Sequence, residues 1–261
     1  MVAVLGNDRK FIMEAVRAMY TDVATHPEKE FHFPTGRAAC LFVGYPTDEI
    51  DAIPTTAVES FAGVGYPHRA RAIQPGNVVL DIGSGSGTDT LIVSHRVGLR
   101  GLVYGLDMTP AMLAKLATNI ERMGATNVKP LAGNAEAIPL ENESIDAATS
   151  NGVLNLVPDK RRAFGEIFRV LRPGGRVQIA DIVVGQPISE NCRSNPKLWA
   201  ECVVGASLED DYLGLFADAG FVNIDVLRRF DYFAGSASEE TRKVASSFSA
   251  HTVEIAMRKP A

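Results

Sequence analysis

Glycines at alternate positions follow a short apolar run and an acidic residue in Val78-Val79-Leu80-Asp81-Ile82-Gly83-Ser84-Gly85-Ser86-Gly87-Thr88. Without a Cβ the backbone can turn sharply beneath a ligand, and a helix starting just after it aims free N–H groups and the positive end of its dipole at the same point. The chemistry of such a loop is to hold a nucleotide-like cofactor on backbone. A second apolar run, Leu102-Val103-Tyr104-Gly105-Leu106, ends in Asp107, where a carboxylate can accept from both ribose hydroxyls. A dinucleotide fingerprint needs its third glycine where Thr88 stands, so the G-x-G-x-G spacing points away from NAD. The other reactive groups are the thiols of Cys40, Cys192 and Cys202, which form neither an even disulfide framework nor a C-x-x-C pair and are expected to be free. The histidines, His26, His32, His68, His95 and His251, are scattered, and none of the five stands out as a base.

These residues need a scaffold in which strands alternate with helices, and the chain carries that rhythm from Val78 onward. The expected parallel strands are Val78–Ile82, Leu102–Asp107, Val128–Ala132, Ile145–Ser150 and Arg176–Val184. Helices are expected near Thr88–Val97, Pro110–Met123 and Asp159–Leu171, with Pro110 and Asp159 at positions that favour helix starts. Pro130 cannot donate to a ladder, which assigns the third strand to a sheet edge. A helix Leu208–Ala219, stopped by Gly220, precedes two closing strands, Phe221–Leu227 and Thr252–Arg258. Residues 1–77 lie outside the sheet. They begin with an amphipathic helix whose stripe is Phe11, Ile12, Ala15, Val16, Met19, Tyr20 and Val23, followed by a Pro/Gly-rich stretch. They read as a lid, and residues 185–207, with Cys192, Trp199 and Cys202, as a second segment capping the same crevice. The expected division is therefore 1–77 as lid and 78–261 as the catalytic domain.

The ordered motifs resemble class I S-adenosylmethionine (SAM)-dependent methyltransferases. The resemblance rests on Asp81-x-Gly83-x-Gly85-x-Gly87, on the acidic Asp107, on Gly133-Asn134-Ala135-Glu136-Ala137-Ile138-Pro139, and on the turn Leu171-Arg172-Pro173-Gly174-Gly175. It implies an α/β fold, a seven-stranded Rossmann-like sheet with helices on both faces. It also implies S-adenosyl-L-methionine as cofactor, with Asp107 on the ribose, the Gly83–Gly85 backbone under the methionine end and Asn134 with Ala135 at the adenine. Asp81, Ser84, Met108 and Asn151 complete the implied cofactor set. Within the family the chain most resembles the arsenite methyltransferase branch, through Gly105-Leu106-Asp107-Met108-Thr109-Pro110, Ser150-Asn151-Gly152-Val153-Leu154 and Glu201-Cys202-Val203-Val204-Gly205. That branch holds trivalent arsenic with three thiolates. Only Cys202 matches one of them, while Val64 and Gly152 stand at the other two positions. Cys40 and Cys192 are candidate replacements, since soft metalloids select thiolates wherever the chain supplies them.

A net charge of −5 and a pI near 5.6 leave no concentrated basic face for phosphates, so nucleic acid is not an expected partner. No apolar run approaches a membrane span, and a cytoplasmic location is expected. No metal site is expected, and the oligomeric state is open. The function read from the residues is methyl transfer to a small molecule, with a soft nucleophile such as a trivalent arsenical or a thiol among the candidate acceptors. Methyl transfer to oxygen, nitrogen or carbon of an organic metabolite and a catalytically silent SAM-binding module are the alternatives.

Overall fold

The computed structural model describes residues 7–188 and 205–261. Its sheet runs β3-β2-β1-β4-β5-β7-β6, with β1 Val78–Ile82, β2 Leu102–Asp107, β3 Val128–Ala132, β4 Ile145–Asn151, β5 Leu171–Val183, β6 Val222–Phe230 and β7 His251–Arg258. The first five pair in parallel, and β7 enters antiparallel between β5 and β6. Pro130 does lie on an edge strand, β3, where its missing N–H interrupts no ladder. Successive residues of β1 serve opposite faces, as the strand period requires: Val79 enters one core cluster and Leu80 and Ile82 the other. The seven-stranded α/β sheet expected of the family is thus present.

One face carries α5 Thr88–Val97 and α6 Pro110–Met123, together with the N-terminal elements α1 Asn7–Thr25, α2 Gly36–Val43, α3 Thr47–Asp51 and α4 Thr55–Val58. The other carries α7 Lys160–Val170 and α8 Glu209–Asp218, sealed by Phe164 stacked on Phe216 at 3.9 Å. Strand order reverses at β1, which has β2 on one side and β4 on the other, and open α/β sheets form their ligand crevice at such a point. Gly87, at φ +107°, ends the glycine loop, and a Cβ there would come within 2.7 Å of Leu116 Cδ1 on α6. This is why the loop can lie against that helix.

Several expectations need correction. A helix, α9 Glu239–Ser247, lies between β6 and β7, and its Ser238 side chain caps the Thr241 N–H. The Pro/Gly-rich stretch after α1 folds into the short helices α2 to α4. Strand β5 begins at Leu171, not Arg176, because Leu171 already pairs with Ile145 and the Pro173-Gly174-Gly175 turn is absorbed as an irregularity in the ladder. Phe11, assigned to the buried stripe of α1, is 53% exposed, whereas Ile12, Val16 and Val23 are buried. Among the described residues no helix is long and apolar enough to cross a membrane.

Candidate active site

A cleft with about 1030 Å³ of empty space, counted out to its open mouth, lies over the carboxyl ends of β1, β2 and β4. Gly83, Ser84, Gly85, Asp107, Met108, Asn134, Ala135 and Asn151 all line it. One wall is mostly backbone. The N–H groups of Gly83 and Ser84 both donate to Leu106 O, at 2.8 and 2.9 Å, which ties the glycine loop to β2. Gly85 N–H donates to Asp107 Oδ2 at 2.9 Å and Thr109 N–H to Oδ1 at 2.8 Å. Burial pushes the Asp107 carboxyl above its ordinary range, and these N–H bonds oppose that shift. Each oxygen keeps lone-pair capacity for another donor. Gly85 adopts φ +53°, and the nearest atom to a Cβ built there is Met112 Sδ, at 3.9 Å. The Oγ of Ser84 is buried with no partner.

The loop after β3 closes this wall. Asn134 Oδ1 accepts from Glu136 N–H at 2.9 Å, and Glu136 accepts from Asp159 N–H at 2.8 Å while pairing with Arg9 of α1. Met13, Val16 and Tyr20 of α1 and Phe61 beyond α4 complete the enclosure. Lys115 of α6 donates to Glu59 Oε1 at 2.7 Å and Ser60 Oγ at 2.8 Å, and Ser86 and Thr88 both donate to Ala57 O. The N-terminal elements are thereby stitched to the glycine loop itself.

The second wall is formed by Asp89, in the first turn of α5, and Asn151, backed by a side-chain network that does not itself line the cleft. Asp89 Oδ1 accepts from Tyr45 Oη at 2.5 Å and bonds His68 Nε2 at 2.8 Å, and its Oδ2 accepts from Asn151 Nδ2 at 3.2 Å. The Asn151 amide is oriented by its carbonyl, which accepts from Val64 N–H at 2.8 Å and Gly65 N–H at 3.2 Å. Behind His68, Gln178 Oε1 accepts from Ala72 N–H at 3.2 Å, so its Nε2 must donate to His68 Nδ1, 2.6 Å away. His68 is therefore a neutral imidazole with its proton on Nε2, donating to Asp89. Sequence reading missed Tyr45, His68, Asp89 and Gln178 as a group. An acid in a helix's first turn reads as an ordinary dipole contact, and nothing in their spacing shows that the four converge.

Three expected roles change. Asp81 is 2% exposed and does not line the cleft. It sits beneath the loop and accepts from Thr90 Oγ1, with its carboxyl pushed well up by burial and by nearby Asp89. Its place is beneath the loop, not in the lining of the cleft. Asn151 lines the cleft, but its side-chain amide is engaged with protein and staples the N-terminal segment to β4. Cys40 is wholly buried on α2, away from the lining, and burial, then the Asp89 charge, pushes its thiol far up. A proton-bearing, enclosed thiol cannot serve as a substrate thiolate. Cys192 and Cys202 lie outside the described residues. Val64 and Gly152 are neighbours: a Cβ on Gly152 would stand 3.1 Å from Val64 Cγ1.

A family model described as a methyltransferase domain matches residues 73–220. The arsenite methyltransferase of Halobacterium salinarum is 38% identical over 184 residues, 70% of this chain and 47% of that protein. The human arsenite methyltransferase is 37% identical over 152 residues, 55% of this chain and 40% of that one. The chain thus spans less than half the length of these relatives. An arsenic(III) S-adenosylmethionine methyltransferase from Chlamydomonas reinhardtii superposes with a TM-score of 0.65 at 32% identity, covering 88% of this chain and 74% of that structure. The family match, the sheet order and the cleft at the strand-order reversal agree, and the chain belongs to the class I SAM-dependent methyltransferase family, close to its arsenite methyltransferase branch.

Proposed function

We propose that this protein transfers the methyl group of SAM to a small-molecule acceptor. The observation that carries the reading is the convergence of the glycine loop, Asp107 and the Asn134 loop on one cleft. Their chemistry fits a nucleoside with a charged tail. The Asp107 oxygens keep acceptor capacity for ribose hydroxyls, Gly85 leaves open the space a side chain would take, and Ser84 Oγ is a buried polar atom still in want of a partner. Asp107 would hold the ribose, Gly83 to Gly85 the methionine end, and Asn134 with Ala135 the adenine. When bound, SAM supplies a methyl group already activated by its sulfonium. The chain's own part is to position and to exclude water. Residues 1–77 act as the lid, since Met13, Val16, Tyr20 and Phe61 enclose the cleft and the Arg9–Glu136 pair holds α1 against the Asn134 loop.

Two acceptor classes divide the reading. The arsenite methyltransferase relatives support a trivalent arsenical or another soft nucleophile, for which Cys202 would be the remaining thiolate. The contact between Val64 and Gly152 favours an organic acceptor, because the two positions that match the branch's other thiolates face each other here without sulfur. Labelled SAM offered with arsenite, monomethylated arsenite, simple thiols, phenols and small amines separates them. Methylated arsenic from wild type, lost in Cys202→Ser, would establish the metalloid acceptor. Turnover confined to an organic compound would establish the other. No methyl transfer to any acceptor, with SAM bound tightly, would leave a silent binding module and sink the enzyme reading. Val64→Cys with Gly152→Cys should raise affinity for trivalent arsenicals, although Gly152 at φ +71° makes the second cysteine cost about 1–2 kcal/mol in backbone strain.

A further inference from the structure

Asp89, Asp107 and Glu136 are the carboxylates among the described residues lining the cleft, and no lysine or arginine is among those residues. Glu136 is neutralised by Arg9. Asp107 lies at the end of β2, where the nucleoside sugar is expected. Asp89 follows the glycine loop directly, in the first turn of α5, and the groups bonding it, a phenol, a primary amide and an imidazole fixed in its neutral form by Gln178, carry no positive charge. Tyr45, His68 and Asn151 each donate to it, and three donated bonds favour the anion over the acid. Asp89 is therefore an anion with its hydrogen bonds satisfied and its charge unbalanced. Such a group, partly desolvated at the wall of a cleft, attracts a cation strongly because the low local dielectric screens it poorly.

Resting on the SAM reading above, we infer that Asp89 binds the positively charged methionine end of the donor, its sulfonium and ammonium, with Tyr45, His68 and Asn151 as positioning residues. The assignment gives the network a purpose that structural staples alone do not need. It aims one fixed negative charge at the place where the donor differs electrostatically from a plain nucleoside.

The test compares SAM with 5′-methylthioadenosine, which keeps the nucleoside and thioether but carries neither positive group. Calorimetry on wild type and Asp89→Asn should show SAM affinity falling by about 30-fold while methylthioadenosine stays within about twofold, since only the charge-assisted contact is lost. Retained methylthioadenosine binding also shows that the variant has folded. Equal losses for the two ligands, or none for SAM, would overturn the assignment. So would lost turnover with both affinities unchanged, which would move Asp89 to the acceptor. Wild type that binds neither ligand would defeat the donor reading itself. If Asp89→Asn fails to fold, Tyr45→Phe keeps the charge but removes a bond favouring the anion. On acidification its SAM-to-methylthioadenosine affinity ratio should then fall at higher pH than in wild type. The ratio cancels Asp107, whose ribose contact both ligands share. The other ionisable groups near Asp89 are His68, already bonded to it, and Asp81 and Cys40, both pushed up by burial. An unchanged ratio profile in Tyr45→Phe would overturn the proposal.

Discussion

The two walls of the cleft are built on opposite principles. The nucleotide wall is made of backbone held by neighbouring backbone: Gly83 and Ser84 on Leu106, Gly85 on Asp107. The Asp89 wall is made of side chains brought from Tyr45, His68, Asn151 and Gln178, and its longest link, between His68 and Gln178, spans 110 residues. The first wall depends on there being no Cβ at particular positions. The second depends on every polar group finding its one partner, because a buried donor or acceptor left unpaired costs the full desolvation penalty. A change in the first should therefore damage binding and spare the fold, whereas a change in the second should cost folding stability, and should touch binding only where it alters the charge of Asp89.

The sharpest break in that comparison is Gly85→Val. A branched side chain at φ +53° is both strained and aimed into the open cleft, so SAM affinity should fall by more than about 100-fold with the far-ultraviolet dichroism unchanged. Wild-type affinity in that variant would mean that the loop is only a structural turn. On the other wall, Asn151→Ala leaves the Val64 and Gly65 N–H groups without their acceptor, and urea unfolding should show a loss of about 2–4 kcal/mol. A loss under about 0.5 kcal/mol would show that the staple is dispensable.

Asp107→Ala belongs to the first wall and should weaken SAM binding by about 1.5–3 kcal/mol through lost charge-assisted bonds to the ribose. Asp107→Glu should recover little, since the longer arm misplaces both oxygens, and calorimetry reads both variants. The smallest effect separates the walls by pH. Burial raises Asp107 while its bonds hold Asp89 low, so on acidification Asp107 takes up its proton first. An acid whose native pKa is raised binds its proton more tightly in the folded state. Its contribution to folding stability is therefore lost as pH rises through that value, while ribose binding, which needs the anion, is lost as pH falls through it. SAM affinity should thus decline at a pH above the ordinary aspartate range, and a decline unchanged in Asp107→Asn would remove that residue as its cause.

Most of the first wall and of the sheet was legible in the sequence because both are local. Strands β1, β2 and β3 and helices α5 and α6 lie where apolar runs, Gly87 and Pro110 put them, and Pro130 assigned β3 to its edge before any pairing was visible. The α9 helix was missed because its Glu239-to-Ser247 run is polar and buries little beyond Ala245. Phe11 was misplaced because periodicity marks a stripe without showing how much of it finds a partner.

By itself, then, the sequence determined the strand and helix alternation, the glycine loop, and the residues of the proposed nucleoside site that line the cleft, since each follows from spacing over a few positions and from the absence or presence of one Cβ. Tertiary structure alone decided the rest. It turned Asp81 from a ligand contact into a buried support and Asn151 into a staple, enclosed the Cys40 thiol away from the cleft, and brought Val64 against Gly152. It also assembled Tyr45, His68, Asp89 and Gln178 into one network whose members share no local signal. The physical reason is that a backbone turn is specified by its own residues, whereas the charge and hydrogen-bonding state of a buried group is specified by whatever the fold packs around it.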